Sequence, residues 1–247
     1  MSELNIDLHP AQLEIFRSDK RFKIVVAGRR FGKSYLSAWL LLINAIQSKS
    51  KDVFYIAPTF QQAKDIMWAM LKDLGQDLII QAYENTAVLT LINGRKIYLK
   101  GSDRPETLRG TGISYVVLDE YASMKPVVWE QIIRPSLADV QGRALFIGTP
   151  AGKNHFFDLY NDAIDDDDWD RFQYKSIDNP FLPATEIKAS KKNMSTMSFR
   201  QEFEASFETF TGGIFKESWF KLEEEPEEGS YVIAIDPAGY EQSEKER

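Results

Sequence analysis

The sequence predicts an α/β fold with a central, mainly parallel sheet, flanking helices and an inserted β-hairpin. Short runs of β-branched residues alternate with longer segments of helical periodicity, as is typical of a sheet built from βαβ units. Two of these runs end in groups that bind phosphate and metal, Gly32-Lys33-Ser34 and Asp119-Glu120. With 247 residues and 43% hydrophobic content, the chain has room for one large domain and a smaller appendage.

The predicted elements follow one another in a regular order. The strands are expected at residues 23–27, 53–57, 87–92, 95–100, 115–118, 144–147 and 172–176. Asn93-Gly94 separates the third and fourth strands and favours the positive φ angles of a tight hairpin turn. A helix is expected directly after Ser34, and further helices at residues 61–74, 127–133, 155–163 and 195–207.

The segment from Phe22 to Tyr35 runs from an apolar strand through a glycine-flanked loop into a helix. In a phosphate-binding loop, backbone N–H groups face the β-phosphate, the lysine reaches the β- and γ-oxygens, and the serine hydroxyl ligates Mg²⁺. Lys33 and Ser34 occupy those positions, although the usual pattern has its first glycine where this chain has Ala27. The residues expected to bind the nucleotide here are Gly28, Arg29, Arg30, Phe31, Gly32, Lys33, Ser34 and Tyr35. The alternative is an ordinary strand, turn and helix with a chance lysine.

A second apolar strand, beginning at Ser114, ends in two adjacent carboxylates, Asp119 and Glu120. Successive side chains of a strand point to opposite faces, so each carboxylate can take a separate role. We expect Asp119 to hold Mg²⁺ and Glu120 to polarise the attacking water. A solvated acidic pair at a strand end is the alternative. Together with the lysine-containing loop, however, the pair predicts nucleotide hydrolysis by a P-loop NTPase fold of the RecA/ASCE-like type.

Two side chains are candidates for further contacts with ATP. Of the two arginines in the loop, Arg29 is expected to contact the γ-phosphate, because a guanidinium fork suits phosphate oxygens. A salt bridge outward to the rim of the sheet is the alternative for either arginine. Gln12 is expected to read the adenine edge with its amide donor and acceptor. Its neighbour His9 is expected to be a capping or surface residue.

Arg109 and Thr149 are candidates for coupling and catalysis. Arg109 precedes Gly110 and Gly112 in a potentially mobile loop, and a mobile arginine is what a transition-state finger requires. Since this loop lies beside its own catalytic strand, donation to a neighbouring subunit is favoured, with an ordinary surface arginine as the alternative. Thr149 follows a strand expected beside the nucleotide and can sense the γ-phosphate or the attacking water, or belong to a plain turn.

Composition excludes several other kinds of site. The chain has no cysteine and only two histidines, so a cysteine-ligated zinc site, a thiolate nucleophile and a histidine-rich metal centre are excluded. No secretory signal or membrane-spanning run is recognised, which predicts a soluble intracellular protein. The net charge of −7 is accounted for by the ten acidic and three basic residues from Glu217 to Arg247. The remaining body is neutral and leaves DNA binding open, for example at Lys188, Lys191 and Lys192.

The domain organisation is predicted from changes in composition. Residues 1–176 are expected to form the ATPase core and residues 177–210 a small helical lid over the nucleotide. Residues 211–229 are rich in glycine, proline and acid, which is typical of a linker. A new strand is expected from residue 230 and ends in Asp236. Because one strand cannot be a domain, we expect the chain to be part of a longer protein.

In their order and spacing, these motifs resemble the ATPase part of the large terminase subunit of tailed bacteriophages. The resemblance covers nearly the whole chain. It is carried by residues 9–12, 27–34, 55–59, 108–110, 117–122 and 147–152. It implies ATP and Mg²⁺ as cofactors and packaging of double-stranded DNA at the portal vertex of the procapsid, in the host cytoplasm. The portal protein, the small terminase subunit and a homo-oligomeric ring are the implied partners, and no membrane is involved.

The resemblance also implies roles for individual residues. Lys33 and Ser34 would bind phosphate and Mg²⁺, Asp119 the metal, and Glu120 would activate water. Arg109 resembles the finger offered to the adjacent subunit, and Thr149 the coupling residue. Full-length relatives add an RNase H-like nuclease whose first aspartate corresponds to Asp236. Two-metal cleavage needs several carboxylates, so we do not expect this chain to cut DNA.

Other functions compete with this interpretation. A helicase shares the loop and the Asp-Glu strand but needs a second similar domain, for which 247 residues leave no room. Another P-loop ATPase module that binds nucleic acid stays an alternative. A module that binds nucleotide only structurally would not need Glu120. A GTPase is disfavoured because the sequence has no Asn-Lys-x-Asp run to read guanine.

Overall fold

The computed structural model describes residues 6–110 and 112–208. Its strands are β1 (Phe22–Ala27), β2 (Asp52–Ala57), β3 (Ile79–Tyr83), β4 (Val88–Leu91), β5 (Lys96–Gly101), β6 (Ile113–Asp119), β7 (Arg143–Gly148) and β8 (Trp169–Tyr174). Its α-helices are α1 (Pro10–Arg17), α2 (Lys33–Gln47), α3 (Phe60–Leu74), α4 (Arg134–Ser136), α5 (His155–Asp162), α6 (Ala184–Asn193) and α7 (Thr196–Glu204). The predicted α/β class is confirmed.

The described strands form one sheet in the order β3-β4-β5-β2-β6-β7-β1-β8. All pairs from β5 to β8 are parallel, whereas β3 and β4 are antiparallel to their neighbours. The hairpin prediction is confirmed: Asn93 and Gly94 join β4 to β5, and Gly94 has φ +77. Strand β3 was not predicted. It lies at the edge of the sheet with most of its residues exposed, so its sequence lacks the apolar alternation of a half-buried strand.

Strand β7 lies between β1 and β6, so the carboxyl ends of these three strands are neighbours. The interior strands are buried on both faces. Alternate residues of β1 pack on opposite sides of the sheet: Val25 faces the layer of α2 and α3, and Ile24 faces the layer that includes Trp129 and Phe156. This explains why β1 is a continuous apolar run rather than an alternating one.

Several element boundaries differ from the predictions. Strand β8 begins three residues before the expected residue 172, because its pairing with β1 starts at Trp169. The helix expected at residues 127–133 is a wider π-helical turn, Val128–Ile133, which passes into α4 just before Pro135. Pro135 has no N–H for an intrahelical bond, and an irregular turn accommodates this loss.

Helices α6 and α7 occupy the segment expected to form the lid. The acidic linker at residues 211–229, the strand from residue 230 and Asp236 lie outside the described residues. None of the described helices is both long enough and apolar enough to cross a membrane.

Candidate nucleotide-binding site

The loop between β1 and α2 has the backbone conformation that a phosphate cradle requires. Arg30 has φ 62, and Gly32, the N-cap of α2, has φ 99 and ψ 24. A Cβ atom on Gly32 would lie 2.4 Å from Nε2 of Gln12, and one on Gly28 would lie 2.5 Å from Oγ of Ser176. Both positions therefore require glycine.

The missing first glycine of the usual pattern has a structural explanation. Ala27 is the last residue of β1, where it is buried and paired in register with Tyr174 of β8. A strand residue needs no positive φ, so alanine is compatible with the loop. The close approach that requires glycine falls one residue later, at Gly28.

Lys33 lies in the middle of the cradle. Its Nζ donates to the carbonyl oxygens of Ala27 at 2.9 Å and Gly28 at 3.1 Å, and to Oγ1 of Thr149 at 3.2 Å. Burial lowers its pKa, while Glu120 and Asp119 across the cleft act in the opposite direction. The ammonium is thus held by neutral acceptors that the oxygens of a phosphate can replace.

A cleft of about 660 Å³ opens beside Lys33. Ser34 in the first turn of α2, Glu120 after β6 and Thr149 after β7 border it, as do Arg29 and Arg30. The structure therefore brings together side chains that are more than a hundred residues apart in the chain, because β1, β6 and β7 end at the same edge of the sheet.

Asp119 is buried at the end of β6, where both of its carboxylate oxygens are occupied. Oδ1 accepts from the backbone N–H of Glu120 at 2.9 Å, and Oδ2 accepts from the hydroxyl of Tyr55 on the neighbouring strand β2. Burial raises the pKa of Asp119 to about 6, partly offset by the Tyr55 hydrogen bond. A carboxylate buried at this cost is one that a cation stabilises.

Tyr55 is a candidate functional residue to which no role was assigned from the sequence. It is fully buried in β2, and burial followed by the charge of Asp119 raises its pKa. Its hydroxyl fixes the orientation of the Asp119 carboxylate. The signal in the sequence is a single tyrosine within the otherwise apolar run Asp52–Ala57.

Glu120 leaves the strand in a left-handed conformation, with φ 52 and ψ 45. Its Oε2 lies 3.5 Å from the backbone N–H of Thr149, and the residue borders the cleft. The expected division of labour between the two carboxylates is therefore compatible with the geometry, since Asp119 is fixed inside and Glu120 faces the open volume.

The phosphate loop also contacts the segment expected to form the lid. The guanidinium of Arg29 pairs with Glu202 of α7, and its backbone N–H donates to the Glu202 carbonyl at 2.7 Å. The hydrogen bond to Glu202 raises the already high pKa of Arg29. Ser176 donates to the Arg29 carbonyl at 2.6 Å, and Asn179 to that of Arg30 at 2.7 Å. The salt bridge that was considered for Arg29 thus exists, but it is directed to α7 rather than to the sheet rim.

A second pocket of about 370 Å³ lies beside the loop, bordered by Gln12, Tyr35 and Phe181 among others. Gln12 is buried: its Nε2 donates to the Gly32 carbonyl at 2.9 Å, and its Oε1 accepts from the N–H of His9 at 3.2 Å. Its amide therefore braces the phosphate loop, and each end retains one unused hydrogen-bonding position for a base. The adenine role stays a prediction.

His9 and Phe31 are structural residues. His9 caps α1 and contacts the Phe31 carbonyl through Nε2 at 2.9 Å; it is buried, so the capping expectation fits and the surface one does not. Phe31 was expected to bind the nucleotide, but its side chain is fully buried and stacks on Tyr174. Only the backbone of Phe31 is left to face a phosphate.

Arg109 is remote from the chain's own cleft. It is exposed, pairs with Glu106 at 2.9 Å and does not border the cleft formed by the described residues. An exposed arginine is available to a neighbouring subunit, so donation in trans stays a prediction.

The comparisons with known proteins agree with this geometry. Residues 24–222 match the family model described as "Terminase large subunit, T4likevirus-type, N-terminal". The large terminase subunit of Escherichia phage T5 is 29% identical over 203 residues, which cover 79% of this chain and 46% of that protein. This chain spans about half the length of the curated relatives it matches.

Solved structures show the same fold. The large terminase ATPase domain of Thermus phage P74-26 superposes with a TM-score of 0.71 at 25% identity, covering 81% of this chain and 94% of that domain. The large terminase of a thermophilic bacteriophage in complex with ADP has a TM-score of 0.72 at 16% identity, covering 82% of this chain and 54% of the other.

Proposed function

This chain belongs to the terminase large-subunit family, and we propose that it is the ATP-hydrolysing motor domain that drives double-stranded DNA into a procapsid. The observation that carries the proposal is the convergence of Lys33, Asp119, Glu120 and Thr149 at one edge of the sheet. A site that only bound nucleotide would need the lysine, but it would not need a carboxylate facing the open cleft.

The chemistry follows from the position of each group. The Lys33 ammonium is placed to neutralise the β- and γ-phosphate oxygens, together with N–H groups of the loop. The Glu120 carboxylate accepts a hydrogen bond from the attacking water and takes up its proton as the new P–O bond forms. Thr149 contacts both partners, since its hydroxyl accepts from Lys33 and its N–H faces Glu120. Displacement of Lys33 by phosphate therefore changes the surroundings of Thr149.

The residues present fit Mg²⁺. Ser34 and Asp119 supply hydroxyl and carboxylate oxygens, which are hard ligands, and Mg²⁺ is usually held by one or two carboxylates, water and phosphate oxygens. The ion would neutralise the charge that develops on the transferred phosphoryl group. The raised pKa of the buried Asp119 agrees with a carboxylate that has a cation as its partner in the working state.

The partners proposed for this chain rest on the family. A homo-oligomeric ring, the portal protein and the small terminase subunit belong to this proposal, as does Arg109 acting on the adjacent subunit. Two features of the chain support it: Arg109 is exposed, and α6 presents the exposed lysines Lys188, Lys191 and Lys192. The ATP analogue bound by relatives supports adenine nucleotide as the ligand.

The proposal is tested by measuring ATP turnover of the chain with and without duplex DNA and portal protein. We expect slow turnover alone and faster turnover on assembly. Glu120→Gln should abolish it while nucleotide binding persists. A Glu120→Gln variant as fast as the parent would disprove the assignment of the base, and no turnover under any condition would favour a structural nucleotide site.

A separate experiment tests donation in trans. Arg109→Ala and Glu120→Ala subunits are each expected to be inactive, and mixing them should restore part of the activity, because one kind of interface then has an intact base and an intact arginine. Absence of any recovery would remove the support for a shared site.

A further inference from the structure

The backbone turn that carries Glu120 is strained. Glu120 has φ 52, in the left-handed region that residues with a Cβ rarely adopt, and the 3₁₀ turn Tyr121–Ser123 follows at once. Such a conformation costs about 1 kcal/mol or more and persists only where its surroundings hold it. The position of the Glu120 carboxylate therefore depends on the contacts that hold the turn.

Two consecutive side chains at the start of α5 supply such contacts. Nδ2 of Asn154 donates to the Ala122 carbonyl at 3.1 Å, and Nε2 of His155 contacts the Tyr121 carbonyl at 3.0 Å. A carbonyl only accepts, so Nε2 of His155 carries the proton in this contact. The two residues after Glu120 are thus both held by hydrogen bonds from one short segment.

The contacting side chains are themselves fixed. Oδ1 of Asn154 accepts from the N–H of Phe156 at 3.0 Å as the N-cap of α5, which orients the amide. The ring of His155 meets that of Tyr121 edge to face, with centroids 4.9 Å apart. Earlier in the same segment, a Cβ on Gly148 would lie 3.3 Å from Cα of Glu120. The β7–α5 connection therefore encloses the turn at three points.

We propose that Asn154 and His155 are positioning residues for the catalytic base: they hold the strained turn and so aim the Glu120 carboxylate into the cleft. This inference rests on the proposed function, because it assigns their role through Glu120. Neither side chain borders the cleft formed by the described residues, so they act through the turn and not on the nucleotide.

Conservative substitutions separate a positioning role from a general loss of stability. Asn154→Asp keeps an oxygen to cap α5 but replaces the donor to Ala122 with a second acceptor. His155→Phe keeps a ring against Tyr121 and removes the donor, whereas His155→Gln keeps a donor and removes the ring. The donor contacts predict that Asn154→Asp and His155→Phe are slow and that His155→Gln retains most of the rate.

Asn93 offers a matched control. Its Nδ2 also donates to two consecutive carbonyls, Ala45 at 2.9 Å and Ile46 at 3.0 Å. These lie at the far end of α2 from Lys33, on the order of 20 Å along the helix axis. Asn93→Asp removes contacts of the same kind without touching the turn, and we expect it to lower the melting temperature while leaving kcat unchanged.

The experiment measures kcat, affinity for a fluorescent ATP analogue and melting temperature for the whole chain and each variant. We expect Asn154→Asp combined with His155→Phe to lower kcat about 10²-fold, the effect of a small displacement of a catalytic group, with analogue affinity unchanged. Parent-like kcat in the combined variant overturns the inference. So does a fall in kcat that is matched by Asn93→Asp at equal loss of melting temperature.

The same measurements separate this inference from the proposed function. If the parent turns over ATP and Glu120→Gln does not, the function stands whatever Asn154→Asp and His155→Phe do. If the parent shows no turnover under any condition, both the function and the inference are overturned.

Discussion

Two lysines at opposite ends of β1 look alike by the usual signs of a functional residue. Lys23 lies at the beginning of the strand and is buried, donating to the Ile15 carbonyl at 3.0 Å. Lys33 lies just beyond its end and donates to the carbonyls of Ala27 and Gly28. Burial lowers the pKa of both, that of Lys23 to about 8.

What distinguishes the two lysines is what faces them. Lys33 faces Asp119 and Glu120 across an open cleft, so a polyanion with a cation can enter between them. Lys23 ties α1 to the sheet, and the next influence on its pKa after burial is the like charge of Arg143. A buried lysine with a lowered pKa therefore indicates a functional site only when complementary groups and space accompany it.

The largest expected effect separates the two lysines directly. Lys33→Ala should lower kcat/KM for ATP by about 10²- to 10³-fold, the usual effect of losing one preorganised donor to a developing negative charge. Lys23→Met, which keeps the length of the side chain, should leave kcat/KM unchanged. Steady-state ATPase assays check both, and a loss of activity in Lys23→Met without loss of folding would break the comparison.

The pH dependence of stability should reveal Lys23. Its pKa of about 8 in the native protein lies below the ordinary 10.5, so between these values the unfolded chain binds a proton that the native protein has released. The free energy of unfolding should therefore rise with pH in this window, by at most about 3 kcal/mol, and the full cost should be present below pH 8. Urea unfolding at several pH values should show this slope in the parent and not in Lys23→Met. Parallel curves would contradict the burial of the charge.

A pair of buried tyrosines sharpens the comparison at the carboxyl edge. Tyr55 donates to Asp119, whereas the hydroxyl of Tyr115 in the adjacent strand has no partner among the described residues. Tyr55→Phe should weaken Mg²⁺-dependent binding of a fluorescent ATP analogue about 10-fold, as is usual for a group that orients a metal ligand. Tyr115→Phe is the control, and we expect it to leave Mg²⁺ dependence unchanged. Equal Mg²⁺ titrations for both variants would remove the role of Tyr55.

The smallest expected effect concerns the exposed contact between the loop and α7. The Arg29 guanidinium in the Arg29–Glu202 pair is largely exposed, so Glu202→Gln should change the free energy of unfolding by less than about 1 kcal/mol. Glu208→Gln, which removes the similar pair with Arg200 beyond the same helix, provides the control. A much larger loss of stability in Glu202→Gln alone, measured by urea unfolding, would show that this contact is a structural anchor.

The sequence by itself determined the features that are local in the chain. Lys33 and Ser34 follow a strand and open a helix, and Asp119 and Glu120 end another strand, so their roles depend on neighbours within a few residues. The hairpin at Asn93 was equally predictable, because a short turn needs a residue pair of known conformational preference. The buried strands were recognisable from their continuous apolar runs, whereas the exposed edge strand β3 was not.

Only the tertiary structure decided which distant residues meet. The order of the strands puts Tyr55 beside Asp119, folds Glu202 onto Arg29, and sets Asn154 and His155 against the turn after Glu120. No local pattern encodes these contacts, because each joins residues separated by dozens of positions, and its geometry is set by the packing of whole strands and helices. For the same reason, the buried side chain of Phe31 could not be separated from the ligand-facing part of its loop before the fold was known.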